Sequence, residues 1–491
     1  MAETQQFGHG VAWSYLQSWA ARGITSLSFL VVGFMVGPQE FGLYALVVGI
    51  LAMTEMVCEQ ALSQTVVQLQ INDAKQLSTV FYMGLLWGGL MSVLLFLSAD
   101  TISLAFGSPA AAPLLMAASI CPCLMGLTVV PIGIIRRNLD FKTLAKRTLW
   151  ASGLSSLTGI VLVFLGYGAK GLIAQAILYH LVSTVVLWIN CSWKPISRMS
   201  LQDARAVGKL AMTNASGKLL DFTETRGVEL IVGAVAGVHA LGIYAFANKV
   251  AQTAFQALVS PVLEVIFAGV ARQNDDRVRS LRHGQLILST LPVCGLVFLA
   301  LSAHPLLVTL YQDRWQEAAL PLSVLAFAYA VRTFSYAYGA SLQASGKANT
   351  CLALDGLRVL LCLLILMGLL LAKHHDLAAV AYLCSAVLVF PLLVSVTLKH
   401  LRATGAQLLR VPLNTATAAS ISSLPVLAAY AYAGLDGMHA LVALTVCAFA
   451  SVAFLLVSLK LNALQLRNSL DTASGGRMTF TLQRVMLLLR I

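Results

Sequence analysis

Charge is what this chain has least of. Asp, Glu, Lys and Arg together make up 11% of its 491 residues, against 58% hydrophobic, and the mean hydropathy is +0.82. That composition excludes a water-soluble domain, which must cover its surface with polar groups. Catalytic signatures are missing as well. Ser216-Gly217-Lys218 and Ser345-Gly346-Lys347 end like a phosphate-binding loop. Leu219 and Ala348 follow, however, where Ser or Thr would hold magnesium, and neither stretch has the earlier glycine. There is no H-E-x-x-H, no G-x-S-x-G and no D-x-D in an outward loop. The nine cysteines lie in or beside apolar stretches, and the closest pair, Cys121 and Cys123, has neither metal-site spacing nor a histidine nearby. They read as packing thiols. A non-enzyme with no metal and no cofactor is expected.

What the chain does have is apolar sequence in runs long enough to cross a hydrocarbon core of about 30 Å. A backbone in that core has to satisfy its own hydrogen bonds, so the spans are expected to be helices. About fourteen result, from one near 11–36 to one near 439–459, with the seventh near 209–236 and the eighth near 241–268. The fold class is therefore an all-α polytopic membrane protein. The net charge of +12 follows the membrane, not a nucleic acid. Of the 32 Lys and Arg, the outward loops hold Lys170, Arg314 and Lys373, whereas one inward loop holds Arg136, Arg137, Lys142, Lys146 and Arg147. That bias puts both termini in the cytoplasm and directs the basic excess at anionic lipid headgroups. The longest outward loop, around His304 to Gln316, is too short to house the chemistry of a membrane polymerase.

One motif occurs twice. Val32 to Ala45 reads V-G-F-M-V-G-P-Q-E-F-G-L-Y-A, and Val232 to Ala245 reads V-G-A-V-A-G-V-H-A-L-G-I-Y-A. Gly33, Gly37, Gly42, Tyr44 and Ala45 fall in register with Gly233, Gly237, Gly242, Tyr244 and Ala245. A repeat of this kind marks a duplicated helical bundle, and substrates of such transporters pass between the repeats. The expected organisation is a six-helix bundle over residues 1–200, a parallel second one over 201–400, an extra helix pair over 401–460 and a cytoplasmic tail over 461–491. The tail ends in a basic amphipathic stretch suited to the inner membrane surface.

Ionisable groups inside spans are expensive, so they face a cavity or one another. The seventh span is the densest, with Lys218, Asp221, Glu224, Arg226 and Glu229. At 100° per residue Lys218, Arg226 and Glu229 share a face, which is expected to line a water-filled cavity. Lys218 and Asp221 have the i,i+3 spacing of an ion pair, as do Asp355 and Arg358. Glu55, Glu59, Asp221 and Glu229 are candidate proton carriers. Arg22, Lys218, Lys249 and Arg332 are the candidate contacts for a phosphate-bearing head group, since guanidinium and ammonium groups both suit phosphate. Trp13, Tyr15, Gln17 and Trp19 in the first span, with Tyr329 and Tyr336 beside Arg332, are candidate sugar contacts.

Several stretches resemble one family. G-P-Q-E-F-G-L-Y-A (Gly37 to Ala45), E-Q-A-L-S (Glu59 to Ser63), R-R-N-L-D-F-K-T-L-A (Arg136 to Ala145), L-G-I-Y (Leu241 to Tyr244) and L-Q-A-S-G-K (Leu342 to Lys347) are similar, in that order, to motifs of the Wzx-type polysaccharide flippases of the MOP superfamily. The resemblance covers about residues 1–460 and is greatest to the colanic-acid and xanthan-type branch. Val228 stands where these proteins usually have an Asp, with Glu229 next to it. The resemblance implies a bacterial inner-membrane protein that moves undecaprenyl-diphosphate-linked oligosaccharide from the cytoplasmic to the periplasmic leaflet. Glycosyltransferases and a polysaccharide polymerase would be its working partners. A small-molecule antiporter of the same superfamily and a membrane polysaccharide polymerase remain alternatives at this level.

Overall fold

The computed structural model describes residues 23–71, 73–196, 200–260, 262–263, 277–401, 404, 408–433 and 440–462. Every regular element among them is helical. Packing divides the chain into two units, Met1–Ala245 and Phe246–Ile491, with the cut inside one long helix. Ten stretches of the described residues are long and apolar enough to cross a membrane, against about fourteen expected. One of the ten, Leu281–Ala344, runs through two expected spans, and the first expected span is described only from Gly23.

The first unit begins with α1 (Gly23–Gly33). Next comes one membrane-long stretch made of α2 (Pro38–Glu55), a π-helical turn (Met56–Leu62) and α3 (Ser63–Gln68). Pro38 opens α2 in the first turn, where the backbone N–H has no intrahelical partner to lose. Then follow α4 (Ala74–Ala105), α5 (Ala111–Ala118), α6 (Ile120–Arg137), α7 (Phe141–Phe164), α8 (Gly168–Asn190) and α9 (Leu201–Phe222). The N-cap side chains of α7 and α9, Asp140 and Ser200, accept from Thr143 N at 3.1 Å and Asp203 N at 3.2 Å. A second π turn (Thr223–Gly227) leads into α10 (Val228–Leu258), which is broken at Gly237, where φ is +88°.

Helices in lipid gain little from burying apolar surface, so they rely on small residues that let backbones approach. α4 and α6 do this: a Cβ on Gly126 would lie 2.5 Å from Gly84 O, and one on Gly88 would lie 2.3 Å from Pro122 O. The two copies of the duplicated motif meet inside the first unit by the same device. A Cβ on Gly42 would lie 1.9 Å from Val238 O.

In the second unit α11 (Arg277–Leu288) and α12 (Leu291–Tyr311) are followed by α13 (Ala319–Ala344), α14 (Ala348–Leu371), α15 (Ala378–Leu401), α16 (Arg410–Ala433) and α17 (Ala440–Leu461). Cys294 and Cys447 donate across the α12–α17 contact to Ser451 O at 3.2 Å and Leu301 O at 3.4 Å. The outward loop expected around His304 to Gln316 is not a loop. α12 continues to Tyr311 and a 3-10 segment covers Gln312–Ala318. Its Trp315 is fully buried, stacked on Phe246 at 3.7 Å. A tryptophan flanked by polar residues reads as loop in sequence, and the stacking partner that buries it lies far away in the chain.

Candidate functional site

The first unit holds a cavity of about 560 Å³ whose lining side chains are all polar. Its wall from the Pro38–Gln68 stretch carries Glu55, Glu59, Gln60, Gln64 and Gln68. The π turn makes that wall possible. Nine residues apart, Glu55 and Gln64 would point about 180° from each other on a regular helix. An i→i+5 turn absorbs about one extra residue, close to 100°, and brings them to about 80°. Opposite them stand Arg136 at the end of α6 and Asn214 and Lys218 on α9.

Glu59 is the electrostatic centre. Arg147 donates Nη1 to its Oε1 and Nη2 to its Oε2, both at 3.2 Å, a bidentate fork. Arg136 Nη2 reaches Oε1 at 3.3 Å, and Arg147 Nε is spent on Ser183 Oγ at 2.7 Å. Three helical stretches are thus tied to one carboxylate. Glu55 lines the same pocket with no ion pair among the described residues. Lys218 Nζ lies 3.4 Å from Asp221 Oδ2, with both side chains open to the surroundings at 48% and 71% exposure.

The other expected residues are dispersed. Arg226 and Glu229 pair with each other at 2.8 Å, the carboxylate buried and the guanidinium partly so. Glu224 is buried in the second π turn. That turn also breaks the regular 100° step on which the shared face of Lys218, Arg226 and Glu229 depended: Lys218 is on the pocket, and the other two are bound up in their own pair. Lys249, Arg332, Asp355 and Arg358 belong to the second unit, where Arg358 pairs with Asp355 at 3.4 Å. Arg332 is buried, its guanidinium 4.7 Å from the centre of the Tyr336 ring and 5.1 Å from that of Tyr382, and it donates to Tyr336 Oη. Tyr329 donates to Asn248 Oδ1 at 3.1 Å. Arg22, Trp13, Tyr15, Gln17 and Trp19 lie outside the described residues.

Sequence reasoning missed Arg136 and Arg147 by placing them in an inward loop. In the structure Arg147 sits in the second turn of α7 and is buried. It also missed the amides of the pocket, because an amide was weighed only in the first span, at Gln17. Their signal was present: Gln60, Gln64 and Gln68 recur every four residues, the spacing of one helix face.

Known proteins resemble this chain in sequence and in fold. The chain is 25% identical to the succinoglycan biosynthesis transport protein ExoT of Rhizobium meliloti over 328 residues, spanning 66% of this chain and 66% of that protein, just under two thirds. It is 19% identical over 354 residues to the lipopolysaccharide biosynthesis protein WzxC of Escherichia coli, spanning 69% and 70%. In fold it is similar to a solved lipid II flippase MurJ in an inward closed conformation, with a TM-score of 0.73, 14% identity and coverage of 91% and 98%. An inward-facing multidrug resistance MATE family transporter of the MOP superfamily gives a TM-score of 0.60 at 15% identity, covering 80% and 99%. A family described as polysaccharide biosynthesis protein matches residues 31–320, from the last turn of α1 to the start of α13, and the chain belongs to that family.

Proposed function

We propose that this protein is a flippase for lipid-linked oligosaccharide in polysaccharide biosynthesis. The observation that carries the reading is a pocket lined by polar residues in a unit built of membrane-long helices. Polar side chains facing lipid would cost several kcal/mol in total, whereas lining a wet cavity they make a path for a hydrophilic head group. The names of the relatives, for succinoglycan transport and lipopolysaccharide biosynthesis, support a glycan cargo.

The cargo is an undecaprenyl-diphosphate-linked repeat unit, taken up at the cytoplasmic leaflet and released at the periplasmic leaflet of the bacterial inner membrane, with both termini cytoplasmic. Glycosyltransferases supply it and a polymerase consumes it. The isoprenoid tail stays in lipid while the head group enters the pocket, which opens to one face and then the other. Lys218 meets the diphosphate. Its pairing with the exposed Asp221 is worth about 1 kcal/mol or less, so an arriving phosphate displaces it readily. Outward movement of the anionic head group is favoured by an interior-negative potential, by about 2.3 kcal/mol per charge per 100 mV.

The test is deletion of the gene in its host, followed by locating the lipid-linked repeat units with a membrane-impermeant reagent. Accumulation on the cytoplasmic leaflet, with surface polysaccharide lost and then restored by complementation, is the expected result. Units exposed outside but unpolymerised would assign the chain to polymerisation instead.

A further inference from the structure

The pocket is charge-balanced. Its three carboxylates, Glu55, Glu59 and the neighbouring Asp221, face three cations, Arg136, Lys218 and the Arg147 behind Glu59. Glu59 is saturated by two guanidinium groups. What distinguishes the remaining wall is neutral amide: Gln60, Gln64 and Gln68 in a row, with Asn214 across from them. Asn214 Nδ2 donates to Gln68 Oε1 at 3.0 Å, which fixes the end of the row. The side chains of Gln60 and Gln64 are exposed to the pocket and make no hydrogen bond among the described residues.

A primary amide carries two donors and an acceptor oxygen in one plane, and a sugar hydroxyl both donates and accepts. Unspent amides at Gln60 and Gln64 therefore match a polyhydroxylated ring, whereas a diphosphate, which only accepts, would offer their oxygens no donor. A site built to hydrogen-bond hydroxyls also rejects ligands that lack them.

Resting on the flippase reading, we propose that the Gln60–Gln64–Gln68 row with Asn214 is the sugar-recognition wall of this protein, reading the uncharged hydroxyl-bearing rings of the repeat unit while Lys218 holds the diphosphate. The two parts of the head group are thus recognised by separable residues. Selectivity for the glycan lies in the amide row.

The experiment compares two probes on the purified full-length protein in detergent: lipid-linked repeat units extracted from the host, and undecaprenyl diphosphate without sugar. The wild type is expected to prefer the sugar-bearing lipid by about tenfold or more, the worth of one or two net hydrogen bonds. In the apolar double variant Gln60→Leu/Gln64→Leu that preference falls below about twofold, with undecaprenyl diphosphate binding unchanged. Lys218→Gln is expected to do the reverse, weakening both lipids while keeping the preference. An intact preference in the double variant overturns the sugar wall, as does equal loss of both lipids. Should the double variant fail to fold, Gln64→Leu alone is read by the same criteria. A wild type that binds neither lipid would sink the flippase reading itself, an outcome distinct from any of these.

Discussion

Gly42 and Gly242 occupy reciprocal positions. A Cβ on Gly42 would strike Val238 O at 1.9 Å, and a Cβ on Gly242 would strike Pro38 O at the same 1.9 Å. Each glycine of the repeated motif thus packs on the residue four positions before its counterpart. The contact has the self-complementarity of a two-fold interface within one chain.

That geometry separates the motif's glycines by function. Gly42→Ala and Gly242→Ala each force a methyl group onto a backbone oxygen and are expected to cost about 3 kcal/mol or more, at the upper end for overpacking. Gly37, with open space around its missing Cβ and a negative φ, is expected to accept alanine within about 0.5 kcal/mol. Gly237 has space but a φ of +88°, so Gly237→Ala costs about 1–3 kcal/mol through backbone strain alone. Melting temperatures of the four purified variants in detergent would show the order; a Gly37 variant as unstable as Gly42→Ala would refute it.

The two arginines on Glu59 differ in burial, with side-chain exposures of 8% for Arg147 and 33% for Arg136. Arg147→Ala removes the buried bidentate partner of Glu59, leaving Arg136 alone on it, and is expected to destabilise by about 3 kcal/mol. Arg136→Ala, at the more open position, is expected to cost about 1 kcal/mol or less. Thermal unfolding of both variants checks the ratio, and equal losses would mean that Arg136 shares the load.

A pocket that holds water admits water-borne reagents. In a version of the protein with its native cysteines replaced, Gln64→Cys is expected to react with a charged thiol reagent added to membranes. Leu90→Cys on α4, an exposed apolar position, is expected to stay unmodified, because a thiolate forms in water and not in lipid. Labelling of both, or of neither, would contradict a wet cavity at Gln64.

In the second unit Arg332 lies against two tyrosine rings. Arg332→Met is expected to destabilise by about 2 kcal/mol, the worth of a desolvated cation–π contact. Tyr329→Phe, which removes the hydroxyl that donates to Asn248, is expected to cost about 1 kcal/mol. Unfolding curves that rank these two the other way would give the tyrosine hydroxyl the larger part.

Legibility in the sequence followed the physics of each feature. Apolar runs announced the helices because lipid leaves no other choice, and the glycine register announced the motif that now shows Gly42 against Val238. Arg147 escaped because the apolar run of its span begins one residue after it. Nothing local shows that α7 starts at Phe141 and carries an arginine inward to a glutamate far earlier in the chain. The pocket wall escaped for a different reason. A helical wheel assumes a constant step, and Met56–Leu62 does not keep it.

The π turn also frees the pocket from the exact length of the chain that builds it. Removing one residue from Met56–Leu62 would let the stretch relax to a regular helix with Glu55 and Gln64 eight residues apart, about 80° from each other, which is the relation the π turn already gives them. Met56–Leu62 is thus a place where the stretch can lose a residue while its amides keep their side of the helix.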